Sequence, residues 1–307
     1  ISVAFTINNL ANNAIIPISS KVSKIYGLSE TYANLPIQVS FLINPIMNFT
    51  AGSFIDSKGL GISFRIGAVL YAIGLLGFCL INYGYHWVLI GAILIALGQP
   101  LVMNCPAKVA TYWFIDKNVY FQLFLENRAT GIISAINLVT LGVSLVFPAI
   151  FVKEDAFGDE AKDQIFSLYS KYFLAGVATA SWSLYLCGND PKDCLLQVRN
   201  NRKQQSNKLG DYKEDKNIWQ FFAAAILLYG TFLSFGSTSN MLFKPYGFED
   251  TQIAIFGVCL LVSGILGSVA YTVYIKKTIN YKRAIVCACV LAMIFESTNA
   301  LLMNLVT

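Results

Sequence analysis

Charge is scarce in this chain. Only 13% of its 307 residues are charged, while 56% are hydrophobic and the mean hydropathy is +0.58. Soluble domains carry about 25% charged residues. So little charge excludes an ordinary soluble core and fits a polytopic membrane protein. The net charge of +5 is too small to point to nucleic acid as a partner. Histidine is nearly missing. His86 stands alone beside Trp87 at the start of an apolar run, which argues against His-based metal sites and against a membrane-embedded enzyme built on a His–Asp pair. No metal and no cofactor are expected. The cysteines are Cys79, Cys105, Cys187, Cys194, Cys259, Cys287 and Cys289. They are odd in number and mostly lie in apolar runs, with no C-x-x-C pair, so they read as small buried apolar residues. No basic segment with a small-residue cleavage site precedes the first apolar run, so no cleavable signal peptide is expected.

What fills the chain is apolar sequence in long runs. A spanning helix needs about 20 mostly apolar residues. Nine runs qualify, near 1–26, 33–55, 65–85, 87–114, 128–152, 165–187, 218–243, 251–275 and 283–305. They do not alternate, and an open sheet cannot satisfy its edges in lipid, so strands are not expected. The first run begins at Ile1 and the last ends near Thr307, which reads as part of a longer protein.

The basic residues set an orientation. Sixteen of the 22 Lys and Arg fall in or beside every second loop and in the segment 188–217: Lys58, Arg65, Lys108, Lys117, Arg128, Lys192, Arg199, Arg202, Lys203, Lys208, Lys213, Lys216, Lys276, Lys277, Lys282 and Arg283. The opposite side holds only Lys21, Lys24, Lys153, Lys162, Lys171 and Lys244. Basic loops stay in the cytoplasm, so these loops and the N-terminus are cytoplasmic. The segment 188–217, "GNDPKDCLLQVRNNRKQQSNKLGDYKEDKN", is the one long polar stretch. It reads as a solvated cytoplasmic linker between a six-helix bundle at 1–187 and a second, incomplete three-helix bundle at 218–307. Anionic membrane lipid is a possible partner for its basic residues. "KEDAFGDEAKDQ" (153–164) is acidic and falls outside the cytoplasm.

A short polar break, "GSFIDSKGLGISFR" (52–65), separates the second and third runs. Its Gly52, Asp56 and Gly59 fall on G-x-x-x-D-(R/K)-x-G-(R/K)-(R/K), with Ser57 at the first basic position, Lys58 one place later, and Leu60 and Gly61 for the last two basics. Gly52 permits close helix approach and Gly59 a tight turn. Asp56 offers a carboxylate to a helix N-terminus or a basic partner in one conformation only. Gly52, Asp56, Lys58 and Gly59 are therefore a candidate conformational latch. Six spans, a cytoplasmic linker and this loop together resemble the major facilitator superfamily. That implies an all-α membrane fold of twelve spans, about nine of them present here.

A closer resemblance covers nearly the whole chain. In "QPLVMNCPAKVATYWF" (99–114), Gln99, Pro106, Lys108, Trp113 and Phe114 are in place. In "RATGIISAINLVTLGVSLVFP" (128–148), Ala129, Asn137 and Pro148 are in place. "DSKGL", "LYGTF" at Leu228, "VSGILGSV" at Val262 and "YK" at Tyr281 follow in order. The sequence resembles the feline leukaemia virus subgroup C receptor family of solute carriers. The resemblance implies transport of choline and ethanolamine, or of haem, in a plasma membrane rather than an organelle. It also implies an aromatic cage, from which this chain departs. Asn8 takes the family's first-span Asn, but Asn12 takes the Trp position, Ser237 the span-seven Tyr and Leu138 a Gln. Cation–π recognition of a quaternary ammonium needs those rings.

Polar side chains at membrane depth are costly and tend to face a cavity or a neighbouring helix. Asn8, Asn9, Asn12 and Asn13 share one broad face of the first span. Gln99 and Asn104 lie in the fourth, Asn137 in the fifth, and Ser237, Ser239 and Asn240 in the seventh. Of these, Asn8, Asn12, Gln99, Asn137, Ser237 and Asn240 are the candidate solute contacts. Interhelical hydrogen bonding is the other reading of each. Glu296, about mid-membrane in the last run, is a candidate for coupling-ion binding, or else a carboxyl capped by hydroxyls such as Thr298. The expected protein is a monomeric transporter of a small-molecule solute. A transport-inactive receptor or scaffold, and a facilitator of an unrelated nutrient, stay open.

The orientation makes a direct prediction. A cysteine introduced at Ser206 should be labelled by an impermeant thiol reagent only after the membrane is permeabilised. Labelling in intact cells would overturn the topology.

Overall fold

A computed structural model describes residues 2–105, 136, 139–152, 158–186, short stretches between 216 and 270, and 281–306. Most described residues of the expected runs are helical, and no strand occurs among the described residues. The first run is not one helix but two, α1 (Ser2–Asn12) and α2 (Ile15–Tyr26). Pro17 supplies the physical reason. It has no N–H for the carbonyl of Asn13 and its ring crowds that carbonyl. The Asn13 carbonyl accepts instead from Ile16 N at 3.1 Å, a tighter turn that breaks the helical ladder. Asn13 itself turns back, donating from both its backbone N and Nδ2 to the Asn9 carbonyl at 3.2 and 3.1 Å. Gly27, in the left-handed region at φ 64°, ends α2.

After the short α3 (Glu30–Ala33), capped by Ser29, the chain enters α4 (Leu35–Lys58), which carries Pro45 inside it. The expected break at 52–65 is far shorter than the sequence implies. α4 absorbs Asp56 and Lys58, and α5 (Leu60–Cys79) absorbs Arg65. Only Gly59 separates them, at φ 91° and ψ 160°, a conformation that favours glycine. Its N–H donates to the Ile55 carbonyl at 2.9 Å, and its own carbonyl accepts from the buried Ser63 hydroxyl at 2.8 Å. Lys58 suits the negative end of α4.

A 3₁₀ turn, Leu80–Tyr83, extends α5 and leads into α6 (Tyr85–Met103). Leu60–Tyr83 and Tyr85–Met103 are 24 and 19 residues long and strongly apolar. At about 1.5 Å per residue each reaches across, or nearly across, an about 30 Å hydrocarbon core. α7 (Val139–Phe151) and α8 (Asp159–Leu186) follow. α8 starts before the apolar run. Asp159 and Glu160 of the acidic stretch form its first turn, where the helix dipole favours negative charge.

The faces are sorted as a bilayer requires. On α5, Phe64, Ala68, Tyr71, Leu75 and Phe78 are buried, at helical spacing, while Ile62, Ile66, Ile73 and Leu76 are exposed. On α8, Ile165, Leu168, Tyr169 and Tyr172 are buried and Phe166, Leu174 and Val177 are exposed. In water so much bare apolar surface would be an aggregation liability; against lipid chains it is at no disadvantage.

The tightest seam joins α5 to α6. Gly67 and Gly74 on one helix, and Gly91 and Gly98 on the other, each stand seven residues apart and meet in antiparallel order. A Cβ on Gly74 would fall 2.7 Å from the Gly91 carbonyl oxygen, and one on Gly98 would fall 3.0 Å from that of Gly67. Gly77 is as close, at 2.7 Å from the Trp87 carbonyl oxygen and 2.9 Å from Gly91 Cα. Small residues let backbones touch, which is how helices gain dispersion energy in lipid. On the other side of α5, Phe78 meets Tyr169 of α8 with ring centroids 5.2 Å apart.

The ends of these helices opposite Gly59 are tied together. Lys21 of α2 donates to the carbonyl of Val152, just past α7, at 3.0 Å. Tyr26 donates to Asn82 Oδ1 at 2.6 Å, and Tyr85 donates to the Ala33 carbonyl. Lys171 of α8 stands 4.2 Å from the centre of the Phe151 ring. Beyond residue 186, Phe243, Phe248 and Phe256 form a three-ring cluster with centroids 5.5 to 5.9 Å apart, and Tyr281–Val306 is one helix. Contacts divide the chain into one unit of residues 1–204 and 237–259 and another of 205–236 and 260–307.

Gly77→Leu should destabilise the protein by about 1–3 kcal/mol, because backbone atoms cannot yield to the added side chain. An added Cβ at Gly52 meets no described atom within 4 Å. Gly52→Ala should therefore hold stability or raise it by up to about 1 kcal/mol through helix propensity. Thermal unfolding of the detergent-solubilised protein compares the two. Equal losses would remove the backbone-contact account of the seam.

Candidate solute-binding site

Three polar side chains of α4 stand one turn apart on one face: Ser40, Asn44 and Asn48. Each bonds to a polar side chain of another span. Ser40 shares its one hydroxyl proton between the Pro36 carbonyl at 2.9 Å and Asn12 Oδ1 of α1 at 3.3 Å, in a buried contact. Asn44 Nδ2 donates to Gln99 Oε1 of α6 at 2.6 Å. Asn48 Oδ1 accepts from Asn104 Nδ2, at the α6 C-terminus, at 3.1 Å. At about 1.5 Å per residue the ladder runs about 12 Å along α4, around the middle of that helix. A further hydroxyl pair, Thr6 with Thr140, links α1 to α7 at 3.3 Å.

Prolines surround this ladder. Asn44 directly precedes Pro45, and Gln99 directly precedes Pro100. Each proline removes the helical donor of the carbonyl four residues before it, at Phe41 and Ala96. Pro17 does the same to Asn13, one residue beyond Asn12. Three spans thus carry a helix irregularity next to a hydrogen-bonded amide. In lipid such irregular backbone is tolerated where it is buried in protein or lines a cavity.

Asn12 and Gln99, two of the expected solute contacts, are both buried and both belong to the ladder. Asn9, not singled out as a contact, is also buried. Asn8 lies on α1 one turn before Asn12, with its side chain outside the described set, as is that of Glu296 in the helix Tyr281–Val306. Asn137, Ser237 and Asn240 lie outside the described residues. Of the expected latch, Gly59 is the joint between α4 and α5, Asp56 is half-buried in the last turns of α4, Lys58 is exposed and Gly52 lies within α4. Sequence reading missed Ser40 and Asn44 and gave Asn48 no role. Their signal was the four-residue spacing of polar side chains in an apolar helix. No group of three or more His, Cys, Asp or Glu able to hold a metal occurs among the described residues.

The sequence model of the Major Facilitator Superfamily matches residues 1–305. The chain belongs to the Major Facilitator Superfamily. It is thus an integral, multi-pass membrane protein, and its ladder joins α1, α4 and α6. Among its relatives is the choline/ethanolamine transporter FLVCR1 of Felis catus, 22% identical over 279 residues, covering 87% of this chain and 48% of that protein. The Mus musculus protein of the same name is 22% identical over 302 residues, covering 90% of this chain and 52% of the relative. The chain spans about half the length of the curated relatives it matches. The crystal structure of a D-xylose-proton symporter superposes with a TM-score of 0.60 at 14% identity, covering 90% of this chain and 67% of that one. That likeness carries the facilitator fold and nothing of the sugar.

A double-mutant cycle on Asn44 and Gln99 should measure their bond. Interhelical polar pairs in membranes couple by about 0.6 kcal/mol on average and about 1.7 at most. Asn44→Leu, Gln99→Leu and the double variant, compared by thermal or denaturant unfolding in detergent, should give a favourable coupling in that range. Strict additivity would show that the 2.6 Å contact contributes nothing to stability.

Proposed function

We propose that this protein is a membrane transporter that moves a small polar or amine solute by alternating access between two bundles. The observation that carries the proposal is the proline-flanked amide ladder at mid-helix, in a chain of this superfamily. Buried amides in a span need partners, and a solute with hydrogen-bonding groups can share them. Asn8, Asn12, Gln99, Asn137, Ser237 and Asn240 are the proposed solute contacts, Glu296 a coupling group, and Gly52, Asp56, Lys58 and Gly59 the latch. The layout is a bundle at 1–187, a cytoplasmic linker at 188–217 and a second bundle from 218. The protein acts as a monomer, with lipid at the basic linker, in a plasma membrane.

The relatives' name carries choline and ethanolamine; this chain favours the second. Its Asn12, at the position of a cage ring, is engaged with Ser40. Losing a ring costs a quaternary ammonium about 0.5–2 kcal/mol. A trimethylammonium head also offers the amides no donor, and a buried polar group left unpaired costs about 1–3 kcal/mol. Both effects disfavour choline.

Uptake into proteoliposomes holding the full-length protein tests this. Ethanolamine should enter faster than choline at equal concentration. Asn8→Ala should abolish specific uptake. Asp56→Asn should slow turnover with little change in apparent affinity, by shifting a two-state equilibrium about 1–2 kcal/mol. Tight choline binding that survives Asn12→Ala and Ser237→Ala would show that the site is built elsewhere.

A further inference from the structure

The three rungs of the α4 ladder are not equivalent. Asn44 is the rung whose side chain keeps a buried acceptor without a donor. Its Nδ2 is committed to Gln99 Oε1, and its Oδ1 is buried with no hydrogen-bond partner. Ser40 and Asn48 leave no such atom among the described residues. An orphaned amide oxygen at membrane depth is costly, and native proteins seldom keep one without use. Gln99 Oε1 has accepted one bond and retains a second lone pair. Two amide oxygens therefore lie side by side at the seam of α4 and α6. Pro45 and Pro100, the next residue on each helix, deprive the carbonyls of Phe41 and Ala96 of their helical donors. The seam thus offers amide and backbone oxygens able to accept, beside the remaining N–H groups of Asn44 and Gln99.

We infer that Asn44 is the specificity-determining residue of the solute site, its Oδ1 accepting from an N–H of an ammonium head group. The inference rests on the transporter reading above and names the feature of the solute that the site reads. A primary ammonium brings three donors and can serve both Asn44 Oδ1 and Gln99 Oε1 while the Asn44–Gln99 bond stays intact. Each N-methylation removes one donor, and a trimethylammonium has none. Neutral amide oxygens then attract the cation only through their dipoles and lose the directional bond. The site thus sorts amines by the number of N–H groups they keep.

The test is direct binding to the purified full-length protein in nanodiscs, by calorimetry. Ligands are ethanolamine, N-methylethanolamine, N,N-dimethylethanolamine and choline. In the native protein affinity should fall along the series, with the steepest step at the last N–H. Asn44→Leu should weaken ethanolamine about tenfold or more and leave choline unchanged, which flattens the series. Asn44→Asp keeps the acceptor and adds charge, so it should tighten ethanolamine more than choline; it serves as the test if Asn44→Leu does not fold. A series in Asn44→Leu that runs parallel to the native one, or an Asn44→Asp series identical to it, overturns the assignment and leaves the transporter reading standing. A native protein that binds no member of the series overturns the amine reading itself, and this inference with it.

Discussion

Where α5 crosses α6 there is no room for a side chain. Gly74 and Gly91 put backbone against backbone, and Gly67, Gly77 and Gly98 extend the contact along both helices. In water a hydrophobic core would hold such a pair. In lipid that drive is absent, since the surrounding chains are as apolar as leucine, and close packing must supply the attraction. The rest of the N-terminal half is hung on this pair. α8 lies on the far side of α5, its Tyr169 against Phe78 and its Gly176 against Leu75. α4 is held to α6 through Asn44 and Gln99. The first span is held to α4 through Asn12 and Ser40.

Dry packing and polar bonding divide the work between the two faces of α6. One face is glycine and carries no chemistry; the other carries Gln99. This separation lets the polar face be irregular without loosening the fold. Pro45 and Pro100 weaken their own helices locally, yet the helices stay placed because neither proline lies among the α5–α6 glycine contacts. Polar groups that would be liabilities in lipid are drawn to the proline sites, where backbone carbonyls already lack donors.

Much of this was legible. Apolar runs long enough to span gave the helices, because burial in lipid demands length and little else. The superfamily could be read from the loop around Asp56 together with the linker. The ends of helices were read less well, for a physical reason. Asp56, Lys58 and Arg65 look like loop residues by charge, but helices accept charge near their ends, where it meets the dipole or reaches the interface. Asp159 and Glu160 were misjudged on the same ground. Pro17 was visible, but a single apolar run hides a break that costs only one backbone hydrogen bond. The ladder was half legible. Asn12 and Gln99 stand out as polar residues in apolar runs, and Ser40, Asn44 and Asn48 have helical spacing. Their pairing could not be read, since it depends on the relative heights of α1, α4 and α6, which no single span encodes.

Gly59 has a mechanical consequence. A loop of several residues stores slack, so the helices it joins can tilt one at a time. One residue in a conformation only glycine finds easy stores almost none, and the Ser63 hydroxyl pins its carbonyl as well. α4 and α5 are therefore coupled at their shared end like two arms of a bell-crank. Any swing of α4 at the amide ladder is delivered to α5 as a change of angle rather than absorbed in the connection. α5 in turn is keyed into α6 and α8. Displacement at the polar seam thus becomes rotation of the whole group, through a fulcrum the size of one peptide unit.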